Sequence, residues 1–187
     1  MLRRTLAGVV AGTALLLPVT ALTAVPSAAA AEIQATTLTY DDSQAAEFKD
    51  VVAQGVNVWN TSVTNVRIVK ASPGQRANIR VVADPGWPRA TLGPVRPGGQ
   101  VTVWYGRVAV QQGYNKVRIA SHELGHSLGL PDVKPGPCSS LMSGSTGGVS
   151  CANTKPNSAE IAQVQRNYAG RTAQQVATPE IVLTDAA

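Results

Sequence analysis

Polar and apolar residues alternate in three stretches of the chain: Asn-Val-Arg-Ile-Val at 65–69, Asn-Ile-Arg-Val-Val at 78–82 and Gln-Val-Thr-Val-Trp-Tyr at 100–105. A period of two marks half-buried strands. In the third stretch Val101, Val103 and Tyr105 fall on one face, Thr102 and Trp104 on the other. A shorter strand is expected at 37–40. Elsewhere the period lengthens. Ala45, Phe48, Val51, Val52, Val56 and Trp59 recur at helical spacing and predict an amphipathic helix with Ser43 as its N-cap. Val117, Ala120, Leu124 and Leu128 give a central helix over 115–128 its buried face. Asn157-Ser158-Ala159-Glu160 opens a further helix carrying Ile161, Val164 and Tyr168. Prolines and glycines make 84–99 a loop, and 130–156 has little regular pattern. The tail from about residue 173 is small and polar apart from Ile181-Val182-Leu183, and at least its end is expected to be mobile. No internal repeat is apparent.

The N-terminus follows a different pattern. Arg3 and Arg4 precede an apolar run from Leu6 to Leu22, and small residues follow at 27–31. This is the form of a secretory signal peptide, assigned to 1–29. A membrane anchor is the alternative, disfavoured because no later apolar stretch is long enough to span a bilayer. Residues 30–35 form a short pro-segment or extension, too short for a folded inhibitory pro-domain. Residues 36–172 then make one domain with one core, and 173–187 a C-terminal tail.

Charge changes this picture little. Loss of Arg3 and Arg4 with the signal peptide takes the formal net charge from +5 to +3. There is no Lys/Arg cluster with interleaved aromatics, so nucleic acid is excluded as a partner. Export permits a disulfide. The only cysteines, Cys138 and Cys151, lie in a Gly/Ser/Pro-rich loop and read as cystine in preference to thiolate ligands or a catalytic thiol.

The candidate chemistry sits on the central helix. Both histidines of the chain fall in His122-Glu123-Leu124-Gly125-His126-Ser127-Leu128-Gly129-Leu130-Pro131-Asp132. Residues four apart share a helix face, so both imidazoles can reach one metal ion, with Glu123 beside a water held by it. Gly129 can break the helix and bring Asp132 round as a third ligand. Catalytic zinc typically has three protein ligands and an open position, and a carboxylate must shuttle the water's proton to the leaving amine. Asp132 lowers the net positive charge of such a site, which makes the metal a weaker Lewis acid and Glu123 more important. The bland alternative is two helical histidines and a solvated glutamate. A serine nucleophile is disfavoured: no G-x-S-x-G elbow occurs, and a triad would have to borrow a motif histidine.

The segment 122–132, followed by Gly136-Pro137-Cys138-Ser139 and Leu141-Met142-Ser143-Gly144, closely resembles the snapalysins. These are small secreted neutral metalloproteases of Streptomyces and related actinobacteria, of metzincin type, with Asp in place of a third His. The resemblance extends to Val58-Trp59-Asn60-Thr61-Ser62-Val63 and covers most of 36–170. It implies a small α/β (α+β) fold: a twisted, mostly parallel sheet with an active-site helix, a backing helix and a C-terminal helix. It implies zinc on His122, His126 and Asp132, Glu123 as the catalytic carboxylate, Met142 as the Met-turn residue beneath the metal, and Cys138–Cys151 as the family's disulfide. A peptide substrate would lie antiparallel to an edge strand, assigned to Val101, Val103 and Tyr105.

Two departures stand out. Snapalysins carry Tyr two residues after the Asp ligand, where this chain has Lys134, either an oxyanion stabiliser or a solvated charge. The family's calcium-binding Asp corresponds here to Asn115, a weaker ligand, so calcium is doubtful. The expectation is a secreted, monomeric zinc metalloendopeptidase acting on extracellular protein or peptide, with no membrane association after signal cleavage. The alternatives are a secreted zinc-containing binding protein or inactive homologue, and a zinc amidase of cell-wall peptides.

Overall fold

The computed structural model describes residues 34–170 and 180–186. The signal peptide expected at 1–29 lies outside them. Among the described residues no helix is long and apolar enough to cross a membrane.

The domain is a small α/β fold built on one mixed sheet. Its strands are β1 (Thr36–Gln44), β2 (Val66–Lys70), β3 (Ile79–Asp84), β4 (Arg89–Thr91), β5 (Val101–Gly106) and β6 (Val182–Thr184), in the order β2-β1-β3-β5-β4-β6. The pairs β1–β2, β1–β3 and β3–β5 are parallel, and β4 runs antiparallel to both β5 and β6. The helices are α1 (Lys49–Ser62), α2 (Arg107–Gln111), α3 (Lys116–Ser127) and α4 (Ser158–Asn167).

The alternation in sequence becomes one covered face. Leu38, Tyr40, Val66, Ile68, Ile79, Val81, Val101, Val103 and Tyr105 are all buried in the core. α1 packs over β1 and β2, α3 over β4 and β5, and the two helices lie against each other. Their approach is close because Gly55 of α1 has no side chain: a Cβ there would stand 2.8 Å from the Ala120 Cβ. The Trp59 indole crosses the same seam and donates to the Ser121 carbonyl at 2.8 Å, so the ring is buried with its one polar atom satisfied.

Several expectations need correction. β1 runs to Gln44, so Ser43 is strand and not an N-cap; its N–H donates to the Asp41 side chain, and a 3-10 turn at Ala46–Phe48 leads into α1. The supposed loop at 84–99 contains β4. Residues 182–184 of the tail pair with β4; residues 171–179 and 187 lie outside the described residues.

The largest correction concerns the strand proposed to take substrate. β5 is hydrogen-bonded to β3 on one side and β4 on the other, so it has no free edge. Val101, Val103 and Tyr105 point into the core. Tyr105 stacks on Phe48 with ring centroids 4.1 Å apart and donates to the Lys116 carbonyl. The alternating pattern reported a buried face correctly, but a pattern on one strand carries no information about what pairs with its edges.

Candidate metal centre

α3 opens at Asn115, whose side-chain oxygen accepts from the Arg118 N–H. The residue set against calcium by the resemblance therefore acts as an N-cap. One turn further on, Arg118 is buried and donates to the carbonyls of Asn153 and Ser140 and to the Ser143 hydroxyl. It ties α3 to the loop that holds the disulfide Cys138–Cys151 (Cα–Cα 5.5 Å).

His122 and His126 follow on the inner face, both buried, with ring centroids 4.5 Å apart. Each Nδ1 meets a backbone carbonyl: His122 that of Leu141 at 3.0 Å, His126 that of Leu130 at 2.7 Å. A carbonyl only accepts, so each Nδ1 carries the proton and each Nε2 presents a lone pair. The second contact depends on Gly129. Its φ of +92° reverses the chain at the end of α3, and a Cβ there would come within 2.8 Å of Pro94 and of the Asn167 side chain. The turn brings Leu130 back beneath His126 and carries Asp132 round to the same place.

Asp132 Oδ1 lies 3.3 Å from His122 Nε2 and 3.5 Å from His126 Nε2. All three atoms are buried and none makes a hydrogen bond. Three acceptors therefore face one another with no donor among them, an arrangement that costs free energy unless a cation sits between. Two imidazole nitrogens and one carboxylate oxygen form a donor set that suits zinc and leaves a position open. Burial works against the charge of Asp132, and the Lys134 ammonium beside it works for it.

Glu123 is wholly buried, and neither of its oxygens has a hydrogen-bond partner. Burial pushes its carboxyl up to about 8; a dication nearby acts in the opposite sense. Met142 lies under α3, and a Cβ on Gly125 would stand 2.8 Å from its sulfur. Lys134 sits at the rim, 3.4 Å from Asp132 Oδ2 and 2.7 Å from Asp185 Oδ1. The structure thus brings His122, Glu123, His126, Asp132, Met142 and Lys134 together, and leaves Val101, Val103 and Tyr105 in the core.

Two participants were missed from the sequence. Glu160 caps α4 in a capping box with Asn157. The same carboxylate accepts from Ser140 Oγ, Leu141 N–H and Met142 N–H, and so holds the segment beneath the histidines. The capping motif signalled its helix but not its second task. Asp185 also reaches the cluster: one atom each from His122, Glu123 and Asp185 lie within 4.8 Å of one another. The only signal in sequence was an acidic residue two places after the apolar triplet 181–183.

Comparison with known proteins places these features in a lineage. Residues 35–170 match the model of the Streptomyces extracellular neutral proteinase (M7) family. An extracellular small neutral protease of Streptomyces coelicolor is 38% identical over 143 residues, 76% of this chain and 64% of that protein. One from Streptomyces sp. strain C5 is 42% identical over 136 residues, 72% of this chain and 57% of that protein. One from Streptomyces caespitosus is 37% identical over 133 residues, 71% of this chain and 97% of that protein. The chain thus spans less than two thirds of the length of the first two relatives and nearly all of the third.

Proposed function

The chain belongs to the Streptomyces extracellular neutral proteinase (M7) family, and from that premise we propose that it is a secreted zinc metalloendopeptidase acting on extracellular protein or peptide. The observation that carries the proposal is the convergence of His122 Nε2, His126 Nε2 and Asp132 Oδ1, buried, unpaired and all acceptors. These three atoms would hold the ion. Bound there, zinc supplies Lewis acidity that brings the pKa of water towards neutrality and polarises a peptide carbonyl.

The protein's own groups do the rest. Glu123, unpartnered beside His122, accepts the proton of the attacking water and delivers it to the leaving amine. The carbonyls of Leu141 and Leu130 fix the tautomer and orientation of the histidines. Lys134 holds Asp132 in place through its ammonium, and the same cation stabilises negative charge developing on the scissile carbonyl oxygen. Met142 and Glu160 brace the floor on which α3 rests.

Hydrolysis of casein by the purified protein tests the proposal, with Glu123→Ala as the comparison. Loss of cleavage in Glu123→Ala, with zinc still bound, supports the assignment. A wild type that holds zinc and cleaves nothing, or a variant that cleaves equally well, would contradict it and favour a binding role for the zinc site.

A further inference from the structure

The partner of β4 is unexpected. β6 lies antiparallel along it, with Arg89 opposite Thr184, Ala90 opposite Leu183 and Thr91 opposite Val182. The backbone pairing continues beyond both ends: Leu92 N–H donates to the Ile181 carbonyl at 2.7 Å, and Asp185 N–H to the Pro88 carbonyl at 2.9 Å. Immediately after β4, Gly93 N–H donates to the His126 carbonyl at 2.8 Å. A strand added to β4 therefore passes directly before the metal centre, where strand addition would seat an extended peptide.

The segment ends in the centre itself. The Asp185 carboxylate is buried, 2.7 Å from Lys134 Nζ and 2.9 Å from the Ser145 N–H. The backbone makes room for it: Gly144 has φ +52°, and a Cβ there would overlap Asp185 Oδ1 at 2.0 Å. Asp185 also lines a recess beside His122 together with Tyr114, Arg118 and Ile119. Lys134 bridges Asp132 and Asp185, and one oxygen of Asp185 lies within 4.8 Å of atoms of His122 and Glu123, so this carboxylate stands within reach of a cation held at the histidines. The rest of the segment is weakly held. Ile181 and Val182 are 44% and 42% exposed, and Leu183 between strand partners is only half-buried.

We infer that residues 180–186 occupy the substrate groove along β4 as an intramolecular inhibitor, and that Asp185 contributes its carboxylate to the metal site. A backbone ladder, the Asp185 carboxylate and hydrogen bonds from Thr91 to Glu180 and from Ser145 to Ala186 hold the segment in place, with little buried apolar surface, so the docking is reversible. The activity arm of this inference rests on the protease reading above; the docking arm does not.

The test compares the secreted chain with Asp185→Ala and with a chain ending at residue 179. A strand docked nine-tenths of the time lowers apparent substrate affinity about tenfold, so truncation raises kcat/KM on a fluorogenic peptide about tenfold. Hydrogen exchange at the Leu92 amide accelerates on truncation. Asp185→Ala changes the visible absorption of the cobalt-substituted protein. A synthetic peptide of residues 180–187 inhibits the truncated chain competitively. Equal cleavage and equal Leu92 exchange in the full and truncated chains would overturn the inference, as would an unchanged cobalt spectrum in Asp185→Ala. Should the truncated chain not fold, Asp185→Ala, which leaves the backbone ladder intact, carries the same spectral and kinetic comparison. If no form cleaves peptide while truncation still frees Leu92 and Asp185→Ala still alters the spectrum, docking stands and the protease assignment fails.

Discussion

Glu160 shows how one side chain can serve two elements. Its carboxylate caps α4 and at the same time accepts from Ser140, Leu141 and Met142. Glu160→Ala leaves these buried donors unpaired. It should destabilise the fold by roughly 3–5 kcal/mol and weaken zinc binding, read from denaturant unfolding and from competition with a chelator. Gly129 is equally exacting. Gly129→Ala meets a positive φ and two close neighbours, so a loss of about 1–3 kcal/mol is expected, with reduced zinc affinity because the turn also places Leu130 and Asp132. At this scale much of the centre was legible in sequence, since His122, Glu123, His126 and Asp132 are linked by helical spacing and one glycine turn. Asp185 was not legible, because it reaches the site through strand pairing across a long sequence separation.

At the scale of elements, the strands and helices with a sustained period were read correctly in kind. β4 and β6 were not, because three residues are too few to show alternation and their partners are distant in sequence. The same shortness makes β5 look like an edge when read alone. The disulfide loop between Cys138 and Cys151 is an element without regular structure, held by its covalent link and by Arg118. Cys138→Ser with Cys151→Ser should cost about 3 kcal/mol for a loop of this size, measurable as a lower denaturation midpoint. A further ion pair joins the turn before α1 to α2. Glu47 and Arg107 approach to 2.7 Å, and the guanidinium lowers the Glu47 carboxyl from 4.5 to about 2. A carboxylate depressed in the native state stabilises above its unfolded pKa, and that contribution fades as pH falls through the native value. The pair is exposed, so the effect is small. The stability difference between wild type and Arg107→Ala should be largest above pH 4.5 and vanish near pH 2, followed by thermal melts across that range.

On the scale of the whole molecule, the sheet and its two packed helices form a rigid frame, and the chemistry lies along its β4 side. α3 rests on β4 and β5 and against α1, and the segment after β4 is bonded to its last turn. The metal centre and β4 are thus fixed relative to each other by the same backbone. The alternating pattern made the covered face of this frame readable, whereas the order of strands emerges only from tertiary pairing. Stepwise return of zinc to the metal-stripped protein, with proteolysis followed at each addition, tests the catalytic assignment most directly. Cleavage should rise with zinc and level off at one ion per chain, while Glu123→Gln takes up the same single ion and stays inactive. Proteolysis that persists without metal, or that Glu123→Gln retains in full, would contradict it.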